Sequence, residues 1–321
     1  MAKRRPLVEK VVRDAVSDGT AKKAAVGAAV AGGALSAAKL GWDRLASRED
    51  LRRFRLREGE PVSEGLIRIA IGQVDSAIED LETGSEEAVH EARKSFKRLR
   101  AIVRLARDQL GDEVYRGENR DLRDFGRQLS GARDSEVLLE TLDSVTGAYP
   151  APPGLRESLA GEHALAARQL PTDGVVRELH ELRGRVALWP LEHDGIESLE
   201  AGLRRIYRRA RRAYRRAQRD PTVENLHELR KRTKDVWYCA QILRPASPKR
   251  MKRLAKEAHE LSDLIGQEHD LAILAERVQA GPLAGAIESR REKLLRELLP
   301  LGQRLYRKKP RKIARPLRAA A

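Results

Sequence analysis

Cysteine, aromatic residues and long apolar runs are all scarce in this 321-residue chain, and each scarcity closes off a class of protein. The single cysteine, Cys239, permits no disulfide framework and no thiolate zinc site, and it suits a reducing compartment. Aromatics are 4% of the residues, which leaves little on which to stack nucleic-acid bases. The most apolar stretch, residues 24–38, is short, built of Ala and Gly, and flanked by lysines, so no transmembrane segment and no cleavable signal is expected. Four His-Glu pairs begin at His90, His180, His227 and His259, but none completes HExxH, and no GxxxxGK[ST] loop occurs. Strand-like alternation is absent from the body of the chain, which predicts an all-α fold.

What is plentiful is charge. Charged residues are 35% of the chain and the formal net charge is +16. Residues 1–40 hold eight Lys/Arg against three Asp/Glu, and residues 303–321 hold eight and no acid. The body between them is nearly balanced, with 48 basic and 45 acidic residues, so its character lies in how charge is segregated. Residues 1–45 read as a basic Ala/Gly-rich arm, partly disordered, and 303–321 as a basic tail.

Segregation is sharpest in residues 89–107, VHEARKSFKRLRAIVRLAR. On a helix, His90, Arg93, Lys97, Arg100, Arg104 and Arg107 fall in one stripe, while Ala92, Phe96, Leu99, Val103 and Ala106 form a separate apolar stripe. Lys94 and Arg98 widen the basic side. Cations stacked in register repel one another, so either acids inside the fold or a polyanion outside should offset them.

The pattern recurs. His90-Glu91-x-Arg93-Lys94-x-x-Lys97 returns 137 residues later as His227-Glu228-x-Arg230-Lys231-x-x-Lys234. Gly65-Leu66-x-Arg68 maps at the same offset onto Gly202-Leu203-x-Arg205, and ARDSEVLLETL (132–142) echoes EHDLAILAERV (268–278). This is an internal duplication, with a first repeat over about 54–150 and a second over about 195–300. The second opens on LRRIYRRARRAYRRAQR (203–219), with nine arginines and no acid; Arg208, Arg211, Arg212 and Arg215 lie opposite a face that includes Tyr207 and Tyr214. Ser63 and Ser85 are the expected caps of the two helices opening the first repeat.

The two His-Glu-x-Arg-Lys-x-x-Lys helices, the opening FRLREGEPVSEGL and the paired echoes together resemble the CHAD family, the conserved histidine α-helical domain. The likeness implies two bundles of about four helices each, related by a pseudo-twofold, with a basic central groove that binds inorganic polyphosphate. Carried over by position, His90, Arg93, Lys94, Lys97, Arg98 and Arg100 match the first motif, and His227, Arg230, Lys231 and Lys234 the second. Asp235 and Trp237 stand where many members continue with arginines. The ExExK signature of the triphosphatase module found in some members is absent.

Catalysis needs a constellation, and none stands out. His90 and His227 fit hydrogen bonds to phosphate better than general acid–base work. Asp134 and Asp270 suit salt bridges better than a metal site, and no metal or cofactor is expected. The reading is therefore a cytoplasmic, non-catalytic polyphosphate binder, associated with polyphosphate granules. Its groove is lined by the ten motif residues together with Arg104, Arg208, Arg211, Arg212 and Arg215. A nonspecific nucleic-acid binder, with weak contact through the basic tails, and a scaffold for an acidic protein are the alternatives. Oligomeric state is left open.

Overall fold

The computed structural model describes residues 53–129, 131–146, 149–167, 172–278 and 280–319. The N-terminal arm and the 24–38 stretch lie outside these residues. Among the described residues the fold is all-α, as the periodicity predicts, with eleven α-helices.

The chain enters through Phe54–Leu56, whose Leu56 N–H donates to Ile242 O at 3.1 Å. Arg68, 1% exposed, is locked by two bonds to Glu60 (2.6 and 2.7 Å) and one to Arg55 O, so the FRLREGE stretch folds back on the helix it precedes. That helix is α1 (Val62–Thr83). Its cap is Pro61 rather than Ser63, which sits inside the first turn and donates its hydroxyl to Asp194. Ser85 does cap α2 (Glu86–Leu105), accepting from Ala88 N at 3.2 Å. Next come α3 (Arg107–Gln128), kinked at Gly111, then α4 (Gly131–Thr146), α5 (Leu155–Ala167) and α6 (Thr172–Ala187).

The second half opens with α7 (Glu200–Arg219), followed by α8 (Val223–Ile242), which Thr222 caps by accepting from Asn225 N at 3.3 Å. A 30-residue helix, α9 (Pro248–Arg277), then runs to α10 (Pro282–Tyr306) and α11 (Pro310–Ala319).

The apolar stripe of α2 is buried throughout, and it shares one large core with α1, α3 and α6–α11. A smaller core joins α4 and α5 to the C-terminal part of α9 and the start of α10, through Leu138, Leu142, Leu159, Leu271 and Ile287. Tyr207 and Tyr214 are core residues whose hydroxyls donate to Leu305 O (2.7 Å) and Leu299 O (3.1 Å). The helices α7 and α2 cross so tightly that a Cβ at Gly202 would stand 2.0 Å from Leu105 O. Only glycine admits that approach.

One expectation is corrected here. By charge, 303–321 reads as a tail, yet α10 continues to Tyr306 and α11 packs on α7, burying Ile313, Ala314 and Leu317. Their 0, +1, +4 spacing is a helix face, hidden in the sequence by the lysines and arginines around it.

Candidate functional site

The two motif helices, α2 and α8, pack against each other, and their shared boundary holds an ion pair as well as apolar contacts. Arg104 donates to Asp235, which is 6% exposed and also lies 3.7 Å from Arg232. Asp235 thus answers the departure noted in the second motif: it is a carboxylate supplied to a cation of the other motif helix. Arg104, expected in the groove lining, is thus also an internal partner, paired with a carboxylate of α8. Arg100, one turn away, is pushed down to about 10, first by burial and then by Arg104, with Asp235 opposing and Arg123 and Arg232 adding to the fall.

A second set of charged groups brings Lys94 of α2 into the surroundings of Arg230 and Lys234 of α8. Burial is the main reason Lys234 is lowered to about 8; Arg230 and Lys94 push it further down, and Asp263 and Asp270 resist. Lys94 comes from α2 and Lys234 from α8, so cations of the two motifs share one electrostatic environment. His227 is pushed down to about 4 by burial, then by His269, Lys231 and Arg230, against Glu228. Its ring lies 4.7 Å from that of His269. Arg230 lies over α9, where a Cβ at Gly266 would stand 2.7 Å from its Nη2; glycine makes room for the guanidinium.

Beneath these groups is an aromatic floor. Tyr238 is pushed up to about 12, chiefly by burial, with Arg98 and Arg230 working against that rise. Trp237 stacks on it at 4.8 Å, Phe54 meets it edge-on at 5.8 Å, and the Arg98 guanidinium sits 5.7 Å above Phe54. Arg98 Nη1 donates to Gln73 at 3.2 Å. The Nε of Arg98, the Nε of Arg230 and Nδ1 of His227 are buried and have no hydrogen-bond partner among the described residues. Buried polar nitrogens left open in this way are costly unless a partner arrives.

Lys94 pairs with Glu91, and Lys231 with Glu228 at 2.9 Å, both within one helical turn and partly exposed. Although burial works against it, Glu91 is held below its ordinary value by Lys94, His90 and Arg98. His90 and Arg93 are half-buried on α2 and Lys97 is exposed. The structure thus links Lys94 and Arg98 with His227, Arg230, Lys231 and Lys234. Among the described residues, no hydrogen bond or ion pair joins Arg208, Arg211, Arg212 or Arg215 to them. Arg211 instead donates to Tyr306 O at 2.9 Å, toward α10 and α11, and the other three are exposed on α7. A helix's own spacing reveals which face is basic but not where that face points.

Several residues of this region were not singled out by sequence. His269 stands inside the HDLAIL echo and could have been found there; Arg232 lies within the second motif itself. Phe54 opens the FRLREGEPVSEGL stretch, whereas Tyr238 and Gly266 carry no local signal. Among the described residues, no group of three or more His, Cys, Asp or Glu could hold a metal ion. The Asp134 side chain lies outside the described residues, and Asp270 acts here through its charge on Lys234.

Residues 65–279 match the CHAD domain. The chain belongs to the CHAD domain family. Its fold is similar to the crystal structure of the CHAD domain from the plant Ricinus communis, with a TM-score of 0.55 at 20% identity, over 82% of this chain and 94% of that one. No curated protein matches it. Both motif helices of this CHAD protein fall within the matched span, while α10 and α11 lie beyond it. Among the described residues no helix is long and apolar enough to cross a membrane.

Proposed function

We propose that this CHAD protein binds inorganic polyphosphate, without catalysis of its own, along the groove between α2 and α8. The observation that carries the reading is the pair of buried, open donors on Arg98 and Arg230, beside the buried, unpartnered Nδ1 of His227 and a lysine that burial and Arg230 hold near pH 8. A phosphate oxygen would satisfy the Arg98 and Arg230 donors and favour the charged form of Lys234. Guanidinium forks suit phosphate geometry, and the aromatics here are packed under the cations rather than offered to bases. Lys94 and Lys231 are held only by partly exposed pairs of small energy, roughly 0–1 kcal/mol each, and can be released to an incoming anion. The family resemblance implies the same ligand. The two repeats act as one site, and the protein works in the cytoplasm, where it can sit on polyphosphate granules.

The test is competition between long-chain polyphosphate and duplex DNA for the full-length protein, at matched phosphate concentration and about 0.15 M salt. Polyphosphate should win, and affinity should climb with chain length until both motif helices are spanned, then level off. Equal binding of DNA would favour the nucleic-acid alternative. A flat length dependence would reduce the groove to a single local pocket.

A further inference from the structure

A second basic feature lies apart from the groove. Between the start of α9 and the segment that runs into α11 is a cleft of about 510 Å³, lined by Lys249, Arg250, Arg253, Lys308, Lys312 and Arg315. Every lining residue is a cation. One acid, Glu257, stands 3.7 Å from Arg253 and opposes the cations around Lys308. Arg250 donates one Nη2 bond to Lys312 O, which ties α9 to α11, while its Nε is buried with no hydrogen-bond partner among the described residues. The α9 N-terminus opens here as well. Ser247 makes no side-chain cap bond, so the first turn of a 30-residue helix adds partial positive charge. Burial, then Arg250, Arg253 and Arg307, lower Lys308 despite Glu257. Burial, then Arg253, lower Arg250, with Tyr207 opposing and Arg315 adding to the fall. Arg211 of α7, beside Tyr207, brings the arginine-rich helix to the same region.

We propose that this cleft is a second anion site, built for a short chain of phosphoryl groups such as inorganic triphosphate, and distinct from the α2–α8 groove. The two regions share only α9, and Arg253 and Asp263 are ten residues apart on it, about 15 Å along the axis. The cleft has the size of an ordinary small-ligand site. Cations gathered on one small concavity call for dense negative charge. An extended acidic peptide turns alternate side chains away, and a duplex spreads its phosphates over two strands. The lining has no aromatic on which a base could stack. A compact phosphate chain fits best. The site stands whether or not the groove takes polyphosphate.

Calorimetric titration of the full-length protein with sodium triphosphate tests it. Two binding events are expected. Lys308→Gln with Lys312→Gln should weaken one of them by about tenfold or more, while Lys94→Gln with Lys231→Gln weakens the other. If the cleft variant keeps every event seen in the wild type, the inference fails. A single wild-type event lost only in the cleft variant would uphold the cleft and sink the groove reading; one lost only in the groove variant would do the reverse. Should the cleft variant unfold by circular dichroism, acetylation of wild-type lysines decides: triphosphate should shield Lys308 and Lys312, and unshielded lysines would overturn the site. Displacement of triphosphate from the cleft by a duplex oligonucleotide at equal phosphate concentration would also overturn it, in favour of a nucleic-acid backbone.

Discussion

Arg104 and Asp235, 131 residues apart in sequence, form an ion pair that ties the first motif helix to the second. Both are largely buried, at 14% and 8% side-chain exposure, and Arg232 stands behind Asp235 at 3.7 Å. This arrangement predicts an order of effects. Asp235→Asn should be the more damaging change, because it strands Arg104 beside Arg100 and Arg232; a loss of about 3–5 kcal/mol is expected in denaturant unfolding. Arg104→Gln should cost less, since Asp235 keeps Arg232. The reverse order would mean that the carboxylate is not shared as described.

Lys234 predicts a pH dependence in the alkaline range. Its folded-state value, about 8, is below its ordinary 10.5, so between those values the unfolded chain binds the extra proton. Stability should therefore rise with pH from about 8 to 10.5, and the full penalty should be felt below 8. A bound polyanion does the opposite and favours the charged form. Binding near pH 8.5 should take up protons, read as a buffer-dependent calorimetric enthalpy, and affinity should fall as pH climbs through 8. Lys234→Met should flatten both trends. Unchanged profiles in that variant would remove Lys234 from the site.

Gly202→Ala tests the crossing of α7 over α2. The new methyl would stand 2.0 Å from Leu105 O, a backbone atom that cannot swing away, so the helices must separate. A loss of about 1–3 kcal/mol in thermal or denaturant unfolding is expected, although alanine favours helix. A neutral result would mean that the crossing is looser than it stands here.

Deleting residues 310–321 should destabilise the body rather than merely strip charge. Ile313 and Leu317 are 5% and 0% exposed, and burying one such side chain contributes about 1.5–3 kcal/mol. A fall in melting temperature of several degrees should be seen by differential scanning calorimetry. If only salt-dependent binding changes, α11 is a dispensable tail after all.

Local periodicity settled a good deal. The stripes of 89–107, the core placement of Tyr207 and Tyr214, the Ser85 cap and the all-α class all follow from spacings of three and four residues, which a helix turns into faces without help from the rest of the chain. The order of motifs was likewise enough to suggest the family. Other features depended on which faces meet. The carboxylate that offsets Arg104 was not legible because it sits 131 residues away, and Asp235 looked like a gap in a basic motif for the same reason. The arginines of α7 looked like part of the groove because their helix shares its repeat, yet Arg211 bonds toward α10 and α11. The apolar face of α11 was masked by its cations, and the cleft beside it draws on α9 and a segment about sixty residues further along the chain. Charge within one helix is a local property that sequence displays; compensation between helices depends on distance in space, and packing alone assigns it.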